Sequence, residues 1–378
     1  MTELNNRLQS YLQHRKEDGL YRQLSLDSGK VDFSSNDYLG FSKSAFIAQQ
    51  VAHDIESNGT QKAAATGSRL LNGNSVLAEN LEELLASVHH AESALLFNSG
   101  FDANVGLIST VIRPGDIVLF DESVHASIRQ GIKLSGAESL TFKHNNLSDL
   151  EIKLLQANTY KVKWVITESV FSMEGDSVDL QGLSDICTKN GAELIVDEAH
   201  ATGVFGEYGS GLCSSAGIEG KCFARVYTFG KAIASHGAVV VGSKILRDYL
   251  INFSKNFIYT TALETSNLLR IRHTYSVLKN NVNQVFKLNN LIEHFNKESI
   301  FIKNRYEVCG SGPIFGVIVP GNVSCISFAK YLQDQHFDVR AILSPTVPKG
   351  KERLRIILHS FNTFVEIDRL LTAISMYH

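Results

Sequence analysis

Short apolar runs alternate with longer amphipathic stretches from about Ala45 to Tyr275. The runs are SALLF (93–97), DIVLF (116–120), VKWVITE (162–168), ELIVD (193–197), RVYTF (225–229) and GAVVVGS (237–243). Their length and β-branched content read as buried strands. Between them, VLAENLEELLASVHH (76–90) and LQGLSDICTKNG (180–191) repeat their apolar positions at helical spacing, and the second closes on Asn190-Gly191, a C-cap signal. Alternation of this kind predicts an α/β architecture, a parallel or mixed sheet with helices on both faces. Leu4, Leu8, Tyr11 and Leu12 predict an N-terminal helix, and VDFSSNDYLG (31–40) reads as strand then turn. From Thr274 to Lys297 the pattern becomes long helix, and a smaller α+β unit follows. The expected organisation is an N-terminal helix and arm over 1–45, a large domain over 46–275 and a small C-terminal domain over 276–378.

Composition narrows the class. A chain of 378 residues exceeds the usual size of one core, in keeping with two domains. A net charge of −3 offers no electrostatic footprint for nucleic acid or an anionic membrane surface. The start, MTELNNRLQSYLQHRKEDG, has no apolar signal core, and no apolar stretch approaches the ~20 residues of a spanning helix. Cys187, Cys213, Cys222, Cys309 and Cys325 form no CxxC pair, so scattered reduced thiols are expected rather than a metal or disulfide site. A cytoplasmic enzyme without metal, membrane or nucleic-acid partner is the expectation.

The candidate chemistry gathers at predicted strand ends, where open α/β sheets bind ligands. Asp197 ends one apolar run, His200 follows it, and Lys231 lies between two further runs. Alone, Asp197 would be an ordinary turn-capping carboxylate and Lys231 a solvated amine. Together they supply a Schiff-base lysine and a carboxylate for a pyridinium nitrogen, the pair that pyridoxal phosphate requires. Apolar flanks on both sides of Lys231 imply partial burial, which lowers a lysine pKa and favours the Schiff base. Asn98-Ser99-Gly100-Phe101 joins a strand to a helix, so it is either an anion site or a plain turn. Ser172 and Thr228 could add hydroxyl donors. His125 follows another strand, and stacking on a pyridine ring and plain surface exposure both remain open for it.

These segments resemble the α-oxoamine synthase family of fold-type I pyridoxal phosphate enzymes. The resemblance runs through SSNDYLG (34–40), TGSRLLNGN (66–74), FNSGFDAN (97–104), DESVHAS (121–127), TESVFSMEGD (167–176), VDEAHATGVFGEYGSG (196–211), TFGKA (228–232) and SPTVPKGKERLR (344–355). It implies a large domain built on a mixed seven-stranded sheet, a smaller C-terminal α+β domain and a homodimer in which TGSRLLNGN and IYTTALE (258–264) reach the neighbouring chain's site. The implied reaction joins an amino acid to an acyl thioester with loss of CO2; HATGV, FSMEGDS and PTVPKGKERLR favour the branch that takes L-alanine and a pimeloyl thioester from CoA or a carrier protein. Other acyl branches and an aminotransferase of the same fold are the alternatives. Carried residue by residue, the resemblance implies that pyridoxal 5'-phosphate is bound by Lys231, with Asp197 on the ring nitrogen, His200 at the ring oxygen and His125 stacked on the ring. Gly100 and Phe101 would take its phosphate, with Ser172 and Thr228 nearby. Asn36, Thr346 and Arg355 would hold substrate, and Arg22 corresponds to a further substrate arginine with the register shifted by one. Two positions depart from the family pattern: Ala78 stands where most members have histidine, and Ala234 where they often have glycine.

Overall fold

The computed structural model describes residues 2–24, 26, 29–57 and 64–377. Its strands in chain order are β1 (Val31–Asp32), β2 (Ser93–Phe97), β3 (Ile117–Asp121), β4 (Glu138–Phe142), β5 (Lys163–Glu168), β6 (Ala192–Asp197), β7 (Ala224–Thr228), β8 (Ala238–Gly242), β9 (Val308–Cys309), β10 (Ile314–Ile318), β11 (Phe337–Asp338), β12 (Arg340–Ile342) and β13 (Arg353–Ile357). The chain divides into two compact units. One comprises residues 36–172 and 176–287; the other comprises 1–35, 173–175 and 288–378.

The larger unit is built on a seven-stranded sheet of order β2-β8-β7-β6-β5-β3-β4. β8 runs antiparallel to both of its neighbours, and the remaining pairs are parallel. The sheet is therefore mixed, as the resemblance implied. All six apolar runs became strands within a residue or two of their expected limits, because their side chains are buried on both faces. β4 was not among them. Its sequence is polar, four of its five residues are exposed and only Phe142 is buried, as suits an edge strand. The helices over Val76–Val88 and Leu180–Asn190 also match, and Gly191 caps the second at φ 59°.

The smaller unit carries a four-stranded antiparallel sheet, β12-β13-β10-β9, and the short parallel pair β1-β11. The helices Asn322–Asp334 and Phe364–Met376 bury Phe328, Leu332, Leu370 and Ile374, and a reciprocal capping box from Thr363 and Glu366 starts the second. The predicted N-terminal helix is present over Glu3–Glu17 and buries none of its side chains. Among the described residues no helix is long and apolar enough to cross a membrane. All five cysteines are unpaired, and burial pushes the Cys187 thiol up to about 12, so it is not a nucleophile.

Candidate active site in the larger unit

β2, β3, β5, β6 and β7 are mutually parallel, so their C-terminal ends lie along one edge of the sheet. The segments that leave those ends carry Gly100, His125, Ser172, His200 and Lys231 in turn. Scattered over more than a hundred positions of sequence, these residues are gathered by topology alone.

Asp197 is the last residue of β6 and only 4% exposed. Its Oδ1 accepts the Ala199 N–H at 2.9 Å and its Oδ2 accepts Asn104 Nδ2 at 2.6 Å. These donors fix the carboxylate's orientation and leave lone pairs for a further partner. Lys231 follows β7 in a loop closed by Ala234 N–H to Lys231 O (2.9 Å), Ser235 N–H to Phe229 O (2.8 Å) and Phe229 N–H to Gly237 O (2.9 Å). The lysine is half-buried, as its apolar flanks implied. His125 is held below the ordinary histidine range by burial, and the Lys231 charge pushes the same way against the opposing pull of Asp197. The three groups are therefore within one another's electrostatic reach. Part of His125 is open to solvent, and the residue is anchored at both its backbone and its ring. Its backbone N–H donates to the buried Glu168 carboxylate at 2.5 Å, and its ring caps the helix Ala126–Ser135.

His200 is buried, and its Nδ1 bonds the Tyr38 hydroxyl at 2.6 Å; that hydroxyl also reaches Asn36 Oδ1 at 3.3 Å. Gly100 opens the helix Gly100–Val111 behind its N-cap, Ser99. A Cβ on Gly100 would collide with the Thr228 methyl, so the helix N-terminus and Thr228 are in contact and only glycine fits. The helix dipole suits this end to an anion, with a hydroxyl beside it. Phe101 is half exposed on the first turn, and Ser172 lies half-buried in the turn after β5. A buried carboxylate, a half-buried amine, an imidazole and a helix N-terminus beside a hydroxyl, all at one sheet edge, fit pyridoxal phosphate in chemistry and in placement.

The remaining predicted residues belong to the smaller unit. Arg22 and Thr346 line one cavity of about 370 Å³ together with Arg15 and Tyr21. Arg355 is buried in the middle of β13, opposite Gly316 and Arg340.

Sequence reasoning passed over several polar residues that hold the site. Tyr38 stood inside the quoted SSNDYLG segment and Asn104 inside FNSGFDAN, with partners far along the chain, and Ser127 stood inside DESVHAS beside its partner His125. Glu198 is fully buried and accepts Ser169 Oγ (2.7 Å), Leu212 N–H (3.0 Å) and Cys213 N–H (2.6 Å). His89 is fully buried, stacked on Tyr227 at 3.6 Å, and burial drives it down to about 3, so it is a neutral core residue. The two departures also find their places. Ala78 is buried beside Arg69 and Ala262 around a small cavity, and Ala234 takes a left-handed φ of 52°.

Comparison with known proteins agrees with this geometry. The aminotransferase class I and II family profile matches residues 28–374. An 8-amino-7-oxononanoate synthase from Emericella nidulans is 40% identical, covering 99% of this chain and 96% of its own. The crystal structure of 8-amino-7-oxononanoate synthase from Francisella tularensis superposes with a TM-score of 0.78 at 30% identity, covering 92% of this chain and 98% of its own. A serine palmitoyltransferase from S. paucimobilis, solved with a bound PLP–myriocin aldimine, shares the fold at TM-score 0.88 and 24% identity over 99% of this chain and 98% of its own. The chain belongs to the aminotransferase class I and II family, in its α-oxoamine synthase branch beside the 8-amino-7-oxononanoate synthases.

Proposed function

We propose that this enzyme condenses L-alanine with a pimeloyl thioester, releasing CO2 and the free thiol and forming 8-amino-7-oxononanoate for biotin synthesis. The observation that carries the reading is the grouping of Lys231, Asp197 and His125 at the edge where β3, β6 and β7 end, in a chain 40% identical to a synthase of that name. Lys231 Nζ would hold pyridoxal 5'-phosphate, with Asp197 on its ring nitrogen and His200, backed by Tyr38, at its ring oxygen. Gly100, Phe101, Ser172 and Thr228 would take its phosphate. When bound, that cofactor supplies the electron sink that makes a carbanion at the alanine α-carbon accessible. Lys231 Nζ is then the base placed to take the α-proton, and His125 the donor for the acyl oxygen. Arg355 would grip the alanine carboxylate by a bidentate contact, with Asn36, Thr346 and Arg22 lining the substrate's path. Because all five cysteines are unpaired, a reducing compartment such as the cytoplasm suits the protein.

A homodimer belongs to the same proposal. TGSRLLNGN and IYTTALE pack together through the Ala262 N–H to Gly67 O bond (3.0 Å). They present Leu71 and Tyr259 more than four-fifths exposed, an apolar surface that a second copy would cover. A fully active monomer in sedimentation at assay concentration would overturn the dimer. The reaction itself is tested by incubating the holoenzyme with L-alanine and a panel of acyl thioesters, following thiol and CO2. Equimolar thiol and CO2 with the pimeloyl donor is expected. Consumption of long-chain or acetyl donors alone would move the chain to another branch of its family, and keto-acid formation without thiol would make it an aminotransferase.

A further inference from the structure

We propose that Asn104 and Ser127 are positioning residues that hold His125 as its Nε2–H tautomer while the same amide anchors Asp197. The inference rests on the functional reading only in taking His125 to face the reacting groups; the tautomer itself follows from donors and acceptors in the larger unit.

Asn104 is 2% exposed, in the second turn of the helix Gly100–Val111. Its Nδ2 lies 2.6 Å from Asp197 Oδ2 and 3.0 Å from Ser127 Oγ. A flipped amide would set an oxygen against the carboxylate oxygen at that distance, so the nitrogen is fixed there. Nδ2 donates only, and both its protons are committed, one to Asp197 and one to Ser127. The Ser127 oxygen thus accepts, and its own proton is free to donate. Its partner on that side is His125 Nδ1, at 2.8 Å. The Ser127 backbone N–H points at the same nitrogen from 3.3 Å. Two donors converge on Nδ1, so Nδ1 accepts and a neutral ring must carry its proton on Nε2.

The surroundings also keep the ring neutral. His125 caps the N-terminus of the helix Ala126–Ser135, where a positive charge is disfavoured. Desolvation by its neighbours and the Lys231 charge act in the same direction; Asp197 opposes them, and Glu168 accepts the His125 backbone N–H. Nε2 therefore remains a hydrogen-bond donor on an uncharged ring. Such a donor can polarise a thioester carbonyl, or lie against a flat ring, without adding a cation beside Lys231. Asn104 Oδ1, by contrast, has no partner among the described residues. An amide that served packing alone would not leave its acceptor orphaned in the core; this one is oriented by its two donor contacts.

Imidazole nitrogen NMR on the 15N-histidine-labelled apoprotein tests this without cofactor, His125 being assigned by its loss in His125→Gln. At neutral pH the expected spectrum shows an unprotonated, hydrogen-bonded Nδ1 and a protonated Nε2. Ser127→Ala should raise the His125 midpoint by about one pH unit and mix the tautomers. In the holoenzyme it should lower kcat with little change in the KM for alanine, and Ser127→Thr should restore both readouts. A protonated Nδ1 in the wild-type protein overturns the inference whatever the variants do. So does a Ser127→Ala protein with wild-type tautomer and midpoint. Failure of the functional reading is distinguishable: the wild-type protein would then form no borohydride-reducible bond to pyridoxal phosphate at Lys231, while the tautomer would still be as stated.

Discussion

Glu198→Gln is a change of one atom that the structure makes costly. The carboxylate accepts at both ends, Oε1 from the Cys213 N–H and Oε2 from the Ser169 hydroxyl and the Leu212 N–H. The Ser169 hydroxyl can reverse its role; neither backbone N–H can. Whichever end the new NH2 group occupies, it faces a backbone donor and leaves that donor unsatisfied in a site with no solvent exposure. An orphaned buried donor costs about 1–3 kcal/mol. The substitution also removes a negative charge whose field reaches the buried Arg225. The expected total is therefore about 1–3 kcal/mol. The side chain has little room to swing away, since a Cβ at Gly211 would lie 2.9 Å from the Glu198 carboxyl group. Urea unfolding followed by far-UV circular dichroism should show the midpoint falling by roughly 0.5–1 M at an ordinary slope. The same variant should bind pyridoxal phosphate more weakly, because Glu198 holds the turn between Asp197 and His200. A loss under about 1 kcal/mol would refute the reasoning.

Three further outcomes follow from the geometry. Asp197→Asn keeps the shape but removes the charge proposed to face the cofactor's ring nitrogen; kcat should fall by on the order of 10²–10³ at saturating alanine, and near-normal turnover would remove Asp197 from that role. Ala234→Gly relieves a left-handed φ of 52°, which costs a residue with a Cβ about 1–2 kcal/mol. The greater freedom of glycine in the unfolded chain offsets part of this, so a net gain of about 0.5–1 kcal/mol in urea unfolding is expected, and a destabilised variant would contradict it. Burial disfavours the His144 imidazolium, but bonds and charges from Asp121 (2.9 Å) and Asp176 (3.0 Å) outweigh it and push the group up to about 10. Since its ordinary value is 6.5, this contribution is complete below about pH 6.5 and is lost as pH rises through about 10. Wild-type stability should therefore fall over that interval by on the order of a few kcal/mol more than that of His144→Gln, and parallel curves would exclude the linkage.

What could be read from the chain was whatever local sequence dictates. The runs ending in Phe97, Glu168, Asp197 and Phe229 are apolar because their strands are buried on both faces, so burial wrote the sheet into the sequence. The chemistry at their ends could be read for the same reason: a reactive side chain after a parallel strand must lie on the common edge. β4 escaped because an edge strand has no such obligation. Ser139 and Thr141 sit in water, and only Phe142 reports the core. Ala234 could be seen as a departure from the family pattern, but its physical meaning needed the backbone angle. An alanine where glycine is usual retains the turn at Lys231 only by accepting a strained conformation.

The polar supports of the site were hidden by distance along the chain. Asn104 meets Asp197 across 93 positions and Tyr38 meets His200 across 162. A lone asparagine in a helix or a tyrosine in a turn has many ordinary reasons to be there. The structure removes those reasons by burial: each of these groups lies in the interior, where a hydrogen bond unmade is a direct loss, so its donors and acceptors must be accounted for. The accounting carries the assignment from residues to states. It makes Asp197 an acceptor twice over, Ser127 both acceptor and donor, and His125 Nδ1 an acceptor, which leaves the Nε2 proton as the one that can reach a ligand. Sequence thus selects the reactive groups, and the buried amide and hydroxyl between them set the form in which each meets its substrate.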